Sequence, residues 1–317
     1  MKSKENRPEI GEVPPERAPE ALELVFSHLP AEEREQQVQT LLTHGRSGRV
    51  SLECLLEARR GGQLVGAVFS QILPGKTAVV WPPRVMPGQP ASLSGELLEA
   101  ACRRLAAGEV RVAHALLETV TEADDAALRA SGFDPLADLL YLVSLEDQFP
   151  TSRPTSPLEF EPYRPYNHDR LARVVKATYE QTLDCPRMND VRSIDEVLQG
   201  YRGTGVFDPD RWLIVRHGGG DVGCLLLADH PEHGNWELVY MGLVAAARGN
   251  GRGADVARYG QWLAGRAGCG RMVLAVDAEN APAIAMYAAG GFQAWDRRSV
   301  FAKVLEARGP APGPPLP

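Results

Sequence analysis

No uninterrupted apolar stretch in this 317-residue chain approaches the roughly 18 residues that a membrane-spanning helix needs. The opening MKSKENRPEIGEVPPE lacks the apolar core of a secretory signal. Positive charge is in short supply as well. With 34 Lys+Arg against 41 Asp+Glu the formal net charge is −7, which argues against nucleic acid, a partner normally held by a basic face. Cysteine is sparse and unpaired. Cys54, Cys102, Cys185, Cys224 and Cys269 are odd in number and form no C-x-x-C pair, so reduced thiols are expected instead of a disulfide framework or zinc knuckle. These absences predict a cytoplasmic protein without nucleic-acid, membrane or metal partners. His230-Pro231-Glu232-His233 does not change that, because Pro231, Gly234 and Asn235 account for a hairpin turn with no ion.

What is present is an ordinary globular balance, 44% hydrophobic and 24% charged, in a chain long enough for two cores. Residues 149–157 carry three prolines and four hydroxyl side chains and read as an extended linker. Residues 1–7 and the Pro/Gly-rich 307–317 read as disordered tails. This leaves two segments, 8–148 and 158–306, and they look alike. Gly61-Gly62-Gln63-Leu64-Val65-Gly66 has a counterpart in Gly218-Gly219-Gly220-Asp221-Val222-Gly223, and Ser131-Gly132-Phe133 in Gly290-Gly291-Phe292. The intervals, Gly66 to Phe133 and Gly223 to Phe292, are nearly equal, so the chain reads as an internal duplication.

Hydrophobic periodicity in the second segment predicts strands at 158–164, 212–216, 222–228, 236–244, 271–276 and 297–304. Helices are predicted at 168–181, 193–201, 253–266 and 282–289. A helix pair, a strand meander and then alternating helix and strand imply an α/β fold: a mixed, twisted sheet with helices on both faces.

Two stretches carry chemistry. In Leu243-Val244-Ala245-Ala246-Ala247-Arg248-Gly249-Asn250-Gly251-Arg252-Gly253, an apolar strand enters a glycine-rich turn that opens a helix. Bare amides and the positive end of a helix dipole suit a phosphate or pyrophosphate. Gly249-x-Gly251-x-x-Ala254, with Asp277 beyond, also fits a dinucleotide fingerprint, but the βαβ units such a fold needs do not follow. The second stretch, Asn280-Ala281-Pro282-Ala283 through Tyr287 to Gly290-Gly291-Phe292, begins a helix with proline and ends it with glycine. Asn280 and Tyr287 fall on one face of it.

Arg248-x-x-Gly251-x-Gly253 followed by Asn280-x-x-Ala283-x-x-x-Tyr287-x-x-x-Gly291-Phe292 resembles the paired motifs of the Gcn5-related N-acetyltransferases (GNAT). The resemblance is strong over 158–306 and in outline over the first half, and it implies two tandem GNAT-like domains in a layout similar to that of mycothiol synthases. It also implies acetyl-coenzyme A as co-substrate and a primary amine, an amino acid or a peptide as acceptor. Backbone amides of Arg248, Gly249, Asn250, Gly251, Arg252 and Gly253 would hold the pyrophosphate. Leu243 and Val244 would pair with the pantetheine arm, with a splay near Met241-Gly242, and Asn280 would bond the same arm. Tyr287 would protonate the leaving thiolate, and Glu237 would act as general base. In the first half the counterpart of the phosphate loop is Pro87-Gly88-Gln89-Pro90. Leu128 falls opposite Tyr287 and Thr121 opposite Asn280, so a single, C-terminal active site is expected. The other readings of the same motifs are a module that binds acyl-coenzyme A without turnover and, more remotely, a dinucleotide-binding protein.

Overall fold

The computed structural model describes residues 7–305, and these separate into two compact units. The expected tails at 1–7 and 307–317 lie, apart from Arg7, outside the described residues. Among the described residues no helix is long and apolar enough to cross a membrane.

The first unit runs to Pro135 and takes in the chain from Val300 onward. Its elements are β1 (Glu9–Glu12), α1 (Ala18–Val25), α2 (Ala31–Arg46), β2 (Leu55–Arg60), β3 (Gln63–Leu73), β4 (Thr77–Val85), α3 (Ser92–Ala107), β5 (Val112–Leu117) and α4 (Glu122–Ala130). The strands pair in the order β1-β2-β3-β4-β5. All pairs are antiparallel except β4–β5, which run parallel over Thr77↔Val112 to Val79↔His114. One apolar layer joins the sheet to α1 and α2 through Leu22, Phe26 and Phe69. A second joins it to α3 and α4 through Leu97, Leu105 and Leu128.

The second unit, Leu136–Ser299, repeats that plan. It contains β6 (Asp134–Leu145), β7 (Glu159–Pro162), α5 (His168–Thr178), α6 (Ile194–Arg202), β8 (Trp212–His217), β9 (Gly220–His230) and β10 (Asn235–Leu243). These are followed by α7 (Arg252–Arg266), β11 (Arg271–Asp277), α8 (Ala281–Ala289) and β12 (Gln293–Val304). The order is β6-β11-β10-β9-β8-β7, again antiparallel except for one parallel pair, β10–β11. Leu225, Leu227, Trp236, Leu238, Met272 and Leu274 face α7 and α8, while Ile214, Cys224, Leu226 and Tyr240 face α5 and α6. This is the alternation that a strand buried on both faces requires.

The sequence halves 8–148 and 158–306 each hand over part of their last strand. β6, from the first half, pairs with β11 along Arg271↔Leu145 to Asp277↔Leu139 in the second unit. The end of β12 belongs to the first unit, where Leu305 N donates to Arg111 O (2.8 Å) and Lys303 Nζ to Ser131 O (2.7 Å). Residues 149–157 have no regular structure but are pinned within the second unit. Phe149 is buried in its core, Ser156 Oγ donates to Asp255 (2.9 Å), and Arg153 lies over the Tyr259 and Trp262 rings.

Helix ends follow local chemistry. α6 opens on a capping box in which Ser193 Oγ accepts from Glu196 N (3.2 Å) and Glu196 Oε2 from Ser193 N (2.9 Å). Thr121 caps α4 and Asn280 caps α8 in the same way, accepting from the amide three residues on at 3.1 and 3.3 Å. The two caps are equivalent positions of the duplication. α5 stops at Thr178, short of the expected 181, because Thr178 Oγ1 turns back onto Val175 O (2.6 Å) and Gln181 takes a left-handed φ of 53°.

Candidate active site

β10 ends in a single 3-10 turn, Ala245–Ala247, before α7. Gly249 and Gly251 hold φ of 80° and 75°, a left-handed geometry that a side chain disfavours. Gly251 is the N-cap of α7. The amides of Gly249, Asn250, Gly251, Arg252 and Gly253 make no hydrogen bond among the described residues. The Arg248 amide, counted with them on sequence grounds, closes the turn onto Ala245 O (3.2 Å). Five consecutive donors thus lie at the positive end of a 15-residue helix.

The Arg248 side chain has a separate task that the sequence reading missed. Its guanidinium donates to three carbonyls: Leu243 (3.0 Å), Gln181 (2.9 Å) and Thr178 (2.7 Å). Thr178 ends α5, so the cation sits where unpaired carbonyls and the negative helix end favour it. The glycine loop is thereby tied to β10 and to α5 together.

β10 and β11 part almost at once. Their ladder consists of Trp236↔Met272 and Glu237↔Val273, and a bulge interrupts β10 between Leu238 and Tyr240. The parting therefore begins at Leu238, earlier than the expected Met241-Gly242, because the bulge turns β10 away from its neighbour. At the far end, Val244 N donates to Val222 O (3.0 Å) and Val244 O accepts from Ala247 N (2.8 Å), while Leu243 O receives Arg248 Nε. Those main-chain groups of Leu243 and Val244 are occupied, and the unpaired side of β10 runs from the bulge to Gly242. A Cβ at Gly223 would collide with the Gly242 carbonyl, so glycine is required for β9 and β10 to approach this closely.

Tyr287 is buried on the α7–α8 side, with its ring edge-on to Phe292 (5.4 Å between centroids). Its hydroxyl makes no hydrogen bond among the described residues. Burial, reinforced by the Asp184 carboxylate, holds the phenol well above its ordinary pKa. It therefore stays protonated, as a weaker acid than a free phenol. Asn280 caps α8 with its side-chain oxygen, as noted. The 184–185 segment is tied to the end of β11, with Asp184 Oδ1 accepting from Asp277 N and Asp277 Oδ2 from Cys185 N, both at 3.1 Å. Burial and the two carboxylates push the Cys185 thiol up to about 12, so it is no thiolate nucleophile.

Glu237 lies on the other face of the sheet, between the inward-facing Trp236 and Leu238. The structure thus places the two proposed catalytic side chains on opposite sides of the sheet, beside the parting. Glu237 Oε2 is 2.9 Å from His230 Nε2. The His233 ring stacks on His230 with centroids 6.3 Å apart, and Glu232 lies 3.9 Å from both imidazoles. Sequence reasoning assigned His230 to the hairpin alone. The register explains its place: Asn235 pairs with His230 and Glu237 with Ala228, so His230 and Glu237 are diagonal neighbours on one face. Both line a cavity of ≈ 600 Å³ that reaches across β11 to Tyr141, Trp295 and Arg298.

The first unit has the fold without the loop chemistry. Between β4 and α3, Pro87 and Pro90 have no N–H, Gln89 N donates to Met86 O (3.4 Å) and Leu93 N to Pro90 O (3.0 Å). The fully buried Leu128 stands where Tyr287 stands in the second unit.

Comparison with known proteins supplies a family match and a shared fold. Residues 175–292 match the model of the Acetyltransferase (GNAT) family. Over 100 residues the chain is 33% identical to a mycothiol acetyltransferase from Streptomyces bingchenggensis, an alignment covering 31% of this chain and 32% of that protein. The chain thus spans about a third of the length of the curated relative it matches. Among solved structures, a GCN5-related N-acetyltransferase from Sphaerobacter thermophilus superposes with a TM-score of 0.61 at 17% identity, covering 94% of this chain and 96% of the other. A tandem GNAT protein from the clavulanic acid biosynthesis pathway gives 0.50 at 15% identity, covering 96% and 100%. The chain therefore carries a GNAT-family domain, bounded by the family match at residues 175–292, in an overall fold shared with tandem GNAT proteins.

Proposed function

We propose that the second unit transfers the acetyl group of acetyl-coenzyme A to a primary amine, directly and within a ternary complex. The observation that carries this reading is the row of five uncommitted amides at the start of α7, next to two strands that part after only two paired positions. The amides suit a pyrophosphate, and the parting suits an extended thioester arm. Asn280 would bond that arm through its amide nitrogen, since its oxygen caps α8.

In the proposed reaction the amine nitrogen attacks the thioester carbonyl. A C–N bond forms and the C–S bond breaks. The ammonium gives one proton to Glu237, whose carboxylate is hydrogen-bonded to His230 and passes it to solvent, and the nitrogen sheds its second proton to the same carboxylate as the tetrahedral intermediate collapses. The departing thiolate takes the proton of Tyr287 from the other side of the sheet, and the phenolate is reprotonated from solvent, so one proton is released per turnover. A main-chain N–H on the unpaired side of β10 would stabilise the oxyanion. The first unit would not bind acetyl-coenzyme A, because its corresponding loop is short of donors.

The likeness to a mycothiol acetyltransferase suggests a small-molecule acceptor instead of a protein. A thiol-release assay with acetyl-coenzyme A and a panel of amines tests the proposal. Tight coenzyme binding with no amine accepted would favour an acyl-coenzyme A sensor instead.

A further inference from the structure

We infer that the acceptor of this site is an amine carried on an apolar or aromatic body, not on a polyhydroxylated sugar; this rests on the acetyl-transfer reading above. The cavity beside Glu237 has a sided chemistry. Glu237, His230 and Asn235 lie at its β9–β10 end. Val143, Val273 and Ala275 line its middle, and Tyr141 and Trp295 stand at the far end, edge to face at 6.0 Å. Trp295 and Leu145, which also lines the cavity, are 59% and 53% exposed. A ligand body would cover them.

The spacing fits a particular kind of molecule. The strand order places β6 two strands from β10, so at about 4.8 Å per strand Tyr141 lies about 10 Å from the Glu237 strand. An ammonium at Glu237 with a ring two carbons away would lay that ring over Val273 and Val143, facing the aromatic pair. Each of the cavity's two arginines has one guanidinium nitrogen engaged. Arg271 Nη2 donates to His233 O (2.8 Å), and Arg298 Nε bonds Asp296 (2.9 Å) with its guanidinium over Tyr141 (5.4 Å). The middle of the cavity, Val143, Val273 and Ala275, offers no polar side chain to a ring of sugar hydroxyls laid across it, and burying those unpaired would cost binding.

The test compares 2-phenylethylamine with glucosamine as acceptors for the full chain, following thiol release. The aryl amine is expected to have a kcat/KM at least roughly tenfold higher. Trp295→Ala is expected to raise KM for 2-phenylethylamine by roughly tenfold, the cost of losing much of a ring contact, with kcat little changed. A preference for glucosamine, or an unchanged KM in Trp295→Ala, overturns the inference. If neither amine is acetylated, calorimetry with 2-phenylethylamine decides. Binding that Trp295→Ala weakens upholds the cavity assignment while the acetyl-transfer reading fails. Absence of binding at millimolar amine refutes the cavity assignment.

Discussion

His230 Nε2 and Glu237 Oε2 stand 2.9 Å apart on adjacent strands, joined by the hairpin of residues 231–234. An imidazole held this way can orient the carboxylate and relay its proton toward solvent, past His233 and Glu232. The pair makes the proposed base a two-residue unit. Glu237→Gln is expected to lower kcat roughly 10²-fold. His230→Asn should cost less and change the pH profile of kcat/KM. Unchanged turnover in Glu237→Gln at every pH would remove this residue from the mechanism.

Tyr287→Phe deletes one hydroxyl that has no hydrogen-bond partner among the described residues and keeps the buried ring, so folding should survive. Acetyl transfer is expected to fall roughly 10²-fold, while coenzyme binding measured by calorimetry stays intact. Wild-type turnover in this variant would rule the phenol out as the acid.

The glycine loop predicts the binding stoichiometry. One acetyl-coenzyme A per chain is expected, and titration to two would show the first unit competent. Gly251→Val forces a side chain into a left-handed φ of 75°. That costs about 1–2 kcal/mol and should weaken coenzyme binding roughly tenfold. Arg248→Met removes three hydrogen bonds to carbonyls and should lower both coenzyme affinity and Tm. A variant with native affinity would separate the guanidinium from the loop's function.

Alkaline stability follows from buried thiols. Burial raises Cys224 and Cys185 from an ordinary 9.0 to about 12. The unfolded chain therefore loses these protons first, and the folded form binds more protons in that interval. Stability is fully present below pH 9.0 and declines between 9.0 and about 12. Thermal melts from about pH 8 upward should show Tm falling more gently in Cys224→Ala than in wild type. Parallel slopes would show that the thiol contributes nothing.

Much of this was legible in the residues. The elements of the second half follow from apolar periodicity, and the loop at 249–253 from glycines next to a strand end. The duplication was visible as nearly equal spacing from Gly66 to Phe133 and from Gly223 to Phe292. Three features were not. The parting of β10 from β11 depends on a bulge near Val239, which leaves no composition signal because Leu238-Val239-Tyr240 reads as plain strand. The His230–Glu237 contact needed the hairpin register, and Pro231 and Gly234 had already explained those residues as a turn. The Arg248 side chain was overlooked because its partners, Thr178 and Gln181, lie about 70 positions earlier at a helix end that the periodicity placed a turn too late.

The handing over of strands between the two sequence halves bears on any attempt to divide the protein. A gene fragment beginning at residue 158 would leave β11 with a bare flank where β6 belongs. One stopping at residue 148 would lack the segment whose Leu305 bonds Arg111. Either product would be a sticky, incomplete sheet. The two copies can diverge in chemistry, one keeping its loop and the other losing it, yet they can no longer be inherited apart.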